Sequence, residues 1–201
     1  MIAIVDYGMG NLQSVQKAFA KLGATAEIIT DAKKIKTASH IVLPGVGAFA
    51  DAMKGLEQAG FIDSILLAIQ SGKPFLGICL GLQMLFTESN ECGRYFGLNI
   101  VPGKVERFLD SVKVPQIGWN QIQQTKPGNP LLFGVPDNAY VYFVHSYYVI
   151  TDNQEIIATT TDYGITFTSM IWKDNLFATQ FHPEKSQKIG LQILANFAKI
   201  K

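Results

Sequence analysis

The chain has 201 residues, 48% of them hydrophobic and 16% charged, with a formal net charge of +1. This composition excludes intrinsic disorder, supplies enough apolar material for one core, and gives an expected single domain over residues 1–201. It lacks the clustered Lys/Arg face that nucleic acid would call for and any apolar run near the roughly 20 residues of a membrane span, so no nucleic acid and no membrane are expected as partners. Cys79 and Cys92 make no disulfide framework, and no basic-then-apolar leader precedes the first apolar run. The expected setting is therefore cytoplasmic and reduced.

Ile2 to Val5 is a short apolar run, broken by Asp6-Tyr7-Gly8-Met9-Gly10-Asn11 before helical spacing from Leu12 to Leu22. Gly23 is placed to end that helix, and Thr25 to Ile29 reads as a second strand. Ile41 to Leu43 is a third, ending in Pro44-Gly45-Val46-Gly47, where small residues let backbone approach a ligand. Helical spacing resumes from Ala48 to Leu56 and from Phe61 to Ile69, and Phe75 to Ile78 is the next strand. Alternating helices and wholly apolar strands predict an α/β fold, an open, mostly parallel sheet with helices on both faces. Ligands in such folds bind at the carboxyl ends of strands, which is where Asp6, Gly45 and Cys79 fall.

A further helix is expected after Cys79. Beyond it, scattered Gly and Pro residues interrupt short β-like pieces, so an antiparallel excursion with long loops fills the second half. Its clearest strands are Tyr140 to Val144, Ile156 to Thr160, Thr166 to Trp172 and Phe177 to Gln180, and Leu191 to Ile200 closes the chain as an amphipathic helix.

Gly77-Ile78-Cys79-Leu80-Gly81 has the layout of a nucleophile elbow, a tight turn that lifts one side chain above the end of a strand. A cysteine there would sit at a helix N-terminus, which favours thiolate. The pentapeptide alone is equally compatible with a small buried cysteine. A nucleophile needs a base and a group that orients the base. Of the three histidines, His40 begins a buried strand and reads as structural, while His145 has no carboxylate nearby in sequence. His182 is followed by Pro183-Glu184, and in extended backbone residues two apart share a side, so Glu184 can reach its imidazole. Metal ligation has no support, because no histidine has a partner at ligand spacing and there is no Cys-x-x-Cys pair. No Gly-x-Gly-x-x-Gly follows the first strand, and no cofactor is expected.

Gly77-Ile78-Cys79-Leu80-Gly81-Leu82-Gln83 with His182-Pro183-Glu184 resembles the class I (triad) glutamine amidotransferases. The loop from Asp6 to Asn11, Pro44 to Gly47, Gly118-Trp119-Asn120, His145-Ser146-Tyr147 and His182 to Ser186 resemble, within that family, the glutaminase subunits of imidazole glycerol phosphate synthases of histidine biosynthesis. The resemblance implies that Cys79 attacks the side-chain amide of L-glutamine to give a γ-glutamyl thioester and ammonia. His182 would serve as base and then acid, oriented by Glu184. It implies an oxyanion hole from the backbone at Leu80 and at Val46 and Gly47, and a glutamine site from Gly45, Gln83, Glu91, His145, Ser146 and Tyr147, with Glu88 as an alternative to Glu91 for the α-ammonium. It further implies a heterodimer with a cyclase subunit, a (βα)₈ barrel that receives the ammonia, against Asn11, Trp119, Tyr142 and Lys185. Other readings are the glutaminase subunit of a pyridoxal phosphate synthase, a stand-alone γ-glutamyl hydrolase, and a non-catalytic α/β binding module that keeps the elbow.

Overall fold

A computed structural model describes residues 1–201. Strands β1 (Ile2–Val5), β2 (Ala26–Ile29), β3 (His40–Gly45), β4 (Phe75–Cys79) and β13 (Leu176–Thr179) form a parallel block in the order β2-β1-β3-β4-β13. Alternate side chains point to opposite faces of a strand, and both faces here are apolar. Ile2 and Ile4 of β1 join one core, Ala3 and Val5 the other. Helices α1 (Leu12–Lys21) and α5 (Gln187–Phe197) cover the first face with Phe19 and Phe197, and α2 (Phe49–Gln58) and α3 (Ile62–Gln70) cover the second with Phe49, Leu56 and Ile65. Each of these fully buried side chains stabilises the fold by about 1.5–3 kcal/mol relative to exposure. No helix is long and apolar enough to cross a membrane.

Beyond β13 the sheet continues as a mixed extension of β5 (Phe86–Ser89), β6 (Tyr95–Phe96), β7 (Val101–Arg107), β8 (Gln116–Gln124), β9 (Ala139–His145), β10 (Tyr147–Thr151), β11 (Ile157–Asp162) and β12 (Thr166–Lys173). Its pairings are antiparallel except β5 with β7, which is parallel and departs from the expected excursion.

Two expected helices change length. The one after Cys79, α4 (Leu80–Gln83), is a single turn. It stops because the carbonyls of Met84 and Leu85 accept from the N–H groups of Leu98, Ile100 and Val101, which draws the chain into β5. The last helix starts at Gln187 and ends at Phe197, earlier at both ends than Leu191 to Ile200.

The register sets Gly45 of β3 beside Cys79 of β4, and Thr179 of β13 beside Ile78 on the other flank. Close approach demands glycine at the elbow: a Cβ on Gly81 would collide with the carbonyl oxygen of Leu43. Gly81→Ala is therefore expected to cost at least about 3 kcal/mol, because backbone must move to admit the methyl. Urea denaturation reads this, and a change under about 1 kcal/mol would contradict the packing.

Candidate active site

Cys79 closes β4 and precedes α4 with φ of 56° and ψ of −107°, a left-handed conformation rare for a side-chain-bearing residue. Such strain persists only where the surroundings enforce it, and it is concentrated at functional sites. Cys79 is 6% exposed and opens onto a cavity of about 420 Å³. With a helix of only four residues behind it, the macrodipole expected at the elbow shrinks to one turn of N–H groups.

His182 follows β13 and is buried, with its Nδ1 2.8 Å from Oε1 of Glu184. The expected contact is present, but the backbone that makes it is not extended: Pro183 to Lys185 form a 3₁₀ turn that folds Glu184 under the ring. Ser186 secures this turn, its hydroxyl donating to the His182 carbonyl and accepting from the N–H of Tyr142. Burial opposes a charged ring, but the negative charge of Cys79 and the hydrogen-bonded Glu184 carboxylate outweigh it and raise His182 from 6.5 to about 10. Nε2 of His182 and Oε2 of Glu184 have no hydrogen-bond partner within the protein. Nε2 is left free for chemistry, while Oε2 lies behind the ring, where a small space is lined by Asn11, Val15, Gly45 and Glu184.

Val46, Gly47, Leu80, Gln83, Glu91, Ser146, Tyr147 and Lys185 also line the cavity of Cys79. Gly45 does not: it packs behind the elbow, where a Cβ would meet the Tyr7 hydroxyl at 2.7 Å. Glu91 reaches the N-terminus of α2, its Oε2 accepting from the N–H of Phe49 at 2.8 Å, so a helix whose own N-cap is Ala48 is capped from a distant loop. Glu88 instead pairs with Arg94 and lies outside the cavity lining.

His145 contributes wall rather than a free ligand-binding atom, because Nδ1 donates to the Tyr147 carbonyl at 2.8 Å and Nε2 meets the Gln116 side-chain amide at 2.9 Å. Burial lowers its pKa from 6.5 to about 4. The unfolded chain takes up this proton near pH 6.5 and the folded chain does not, so stability falls as pH drops from 6.5 towards 4, by about 3 kcal/mol in all. His182 has the opposite sign and window: its contribution is fully present below 6.5 and is lost as pH rises through about 10. Subtracting the stability profile of His145→Gln from that of the wild type between pH 7 and 4 isolates the first effect; parallel profiles would contradict it.

Trp119 of β8 packs edge-on against Tyr142 of β9, their centroids 6.0 Å apart, and Lys185 lies over the Tyr142 ring. Trp119 is 46% exposed and is flanked by exposed Ile117 and Tyr140. Of these residues, Lys185 lines the cavity of Cys79, and Asn11 lines the small space behind His182. Gln180 was not singled out by sequence reasoning, yet it is fully buried against Cys79.

The family model for glutamine amidotransferase class-I matches residues 3–200. The chain belongs to the class-I glutamine amidotransferase family. Among the similar proteins are the imidazole glycerol phosphate synthase subunit HisH of Syntrophotalea carbinolica, 53% identical over 98% of each chain, and that of Geobacter sulfurreducens, 54% identical over 100% of this chain and 99% of the relative. A solved structure titled PurLQS from Thermotoga maritima superposes on this amidotransferase with a TM-score of 0.78 at 16% identity, over 98% of this chain and 96% of that one. At that identity it speaks for the fold alone.

Proposed function

We propose that this amidotransferase is the glutaminase subunit of an imidazole glycerol phosphate synthase, acting in histidine biosynthesis as one glutaminase domain over residues 1–201. The observation that carries the chemistry is the buried line Cys79, His182, Glu184 opening onto a cavity that also holds the Glu91 carboxylate. The subunit assignment is supported by the full-length relatives named HisH.

Glutamine lies with its side-chain amide at Cys79 and its α-ammonium towards Glu91, whose Oε1 is not the oxygen used by the α2 N-terminus. Gln83, Ser146 and Tyr147 line the site between them. The cysteine sulfur attacks the amide carbon, and protonated His182 gives its proton to the departing nitrogen, leaving a γ-glutamyl thioester and ammonia. Water then attacks the thioester, His182 takes the proton, and glutamate leaves. Glu184 holds the ring by Nδ1 and stabilises its charged form, as the acid of a triad does. N–H groups at Leu80 and at Val46 or Gly47 stabilise the oxyanion. Ammonia passes to a cyclase subunit, a (βα)₈ barrel docked as a heterodimer against Asn11, Trp119, Tyr142 and Lys185, which closes the imidazole ring. Intact-mass and peptide analysis after acid quench during turnover tests the chemistry: a γ-glutamyl adduct on the Cys79 peptide is expected, and an adduct on Cys92 alone would overturn it.

Val46 is 38% exposed, and Gly47 has φ of 95°. The peptide between them can rotate to offer either a carbonyl or an N–H to the site, because glycine accepts both signs of φ at little steric cost. Docking of a liganded cyclase that favours the N–H orientation should raise glutaminase activity by about 100-fold or more, the scale of one oxyanion donor. Gly47→Val should suppress that rise while leaving assembly intact, since φ there disfavours a β-branched residue and a Cβ would lie 2.6 Å from Cε of Met9. Steady-state glutaminase assays with and without cyclase read this; a free subunit as fast as the liganded complex would remove the switch.

A further inference from the structure

Gln180 immediately follows β13 and is fully buried between Cys79 and Gln83. The orientation of its amide follows from a group that has no choice. The Tyr147 carbonyl can only accept, so the Gln83 atom 3.0 Å from it is the side-chain NH₂. That NH₂ also lies 3.1 Å from the Gln180 side chain, which must therefore present its carbonyl oxygen to Gln83. The other end of Gln180, its NH₂, then faces Sγ of Cys79 at 3.7 Å. A backbone carbonyl two amides away thus dictates that the sulfur meets a donor here. The Val144 carbonyl, 3.9 Å from Sγ, is an acceptor that suits only the neutral thiol. Both donor hydrogens of Gln83 are used within the protein, which leaves its oxygen for a ligand in the cavity.

We propose that Gln180 is a further catalytic residue, donating an amide N–H to the cysteine sulfur so that the charged nucleophile is stabilised before attack, with its orientation set by Gln83 and the Tyr147 carbonyl. This rests on the reading of Cys79 as the nucleophile. The chain Tyr147, Gln83, Gln180, Cys79 also ties a wall of the glutamine cavity to the sulfur. A hydrogen bond to a charged group contributes more than one to a neutral group, and it acts on thiolate alone. The other titratable groups around the sulfur are His182, with Glu184 behind it, and Tyr7, just past β1, whose hydroxyl donates to the Pro44 carbonyl and whose phenol is pushed upward by burial and by the charge of Cys79. Gln180→Met adds no charge to any of these groups.

The test is alkylation of Cys79 by iodoacetamide between pH 5 and 10, with Cys92→Ser to silence the exposed thiol. Gln180→Met keeps the length and removes the donor, and Gln180→Glu replaces the donor by a negatively charged acceptor. Both are expected to move the midpoint of the rate profile up by about one pH unit, more for Glu than for Met. A folded Gln180→Met protein with an unchanged profile would overturn the proposal. If neither variant folds, the wild type decides: one glutamine side-chain amide resonance should shift with the alkylation midpoint and stay still in Cys79→Ala, and no such resonance would overturn it. Alkylation needs no glutamine turnover, so failure here is distinguishable from an active Cys79→Ala enzyme, which would instead remove the nucleophile.

Discussion

Cys79→Ala is expected to lower glutamine hydrolysis by about 10,000-fold or more, because no thioester can form and removing the nucleophile of a triad abolishes the function of its other members together. Stability should change by less than about 1 kcal/mol. The elbow is held by the close contact of Gly81 with Leu43 and by the register of β3 on β4, neither of which involves sulfur. Alanine meets the same strained φ of 56° as cysteine and is no worse suited to it. Steady-state glutaminase assays and urea denaturation on the same preparation separate the two effects. Activity within tenfold of the wild type would remove Cys79 from the reaction.

His182→Ala is expected to lower hydrolysis by about 1,000- to 10,000-fold, the upper range for a positioned acid and base. It removes the proton donor for the departing ammonia and the base for the attacking water in one change. His145→Gln should act mainly through glutamine affinity, since its ring holds the Tyr147 carbonyl at the cavity wall rather than the reacting atoms. Labelling of Cys79 by an electrophilic glutamine analogue reads the difference. Retained labelling in the His182 variant with complete loss in the His145 variant would reverse the assignment of the base.

The parts of the site legible in the sequence were those fixed by local chemistry. Gly77 and Gly81 flank Cys79 because neighbouring backbone leaves no room for a Cβ, and a steric need of that kind is written in the residue types. Glu184 was placed against His182 because the two are close in sequence, although a 3₁₀ turn rather than extended backbone makes the contact. The parallel block was legible because strands buried on both faces are continuously apolar.

What escaped notice depends on register between distant segments. Gln180 reaches Cys79 only because β13 lies beside β4 across 101 residues of sequence, and nothing in its neighbours announces a donor to sulfur. Glu91 is preferred to Glu88 in the sequence only on the family resemblance, and in the structure the N-terminus of α2 takes Glu91 while Arg94 takes Glu88. Helix α4 is cut short by strand bonds from Leu98 to Val101, which no local propensity contains. The polar first turn of α5 lacks apolar periodicity, and its start is fixed instead by the Gly190 N–H donating to the Ser186 carbonyl.

The central claim is that this chain turns glutamine into ammonia for a second subunit, and one measurement tests it most directly. The protein is mixed with a cyclase barrel of an imidazole glycerol phosphate synthase, and ring closure is followed with glutamine or with ammonium salt as the nitrogen source. Wild type should support both reactions, and Cys79→Ala should support only the ammonium-driven one, at an undiminished rate. Glutamine-driven ring closure that survives Cys79→Ala, or that never exceeds the rate of the barrel without this chain, would contradict the account.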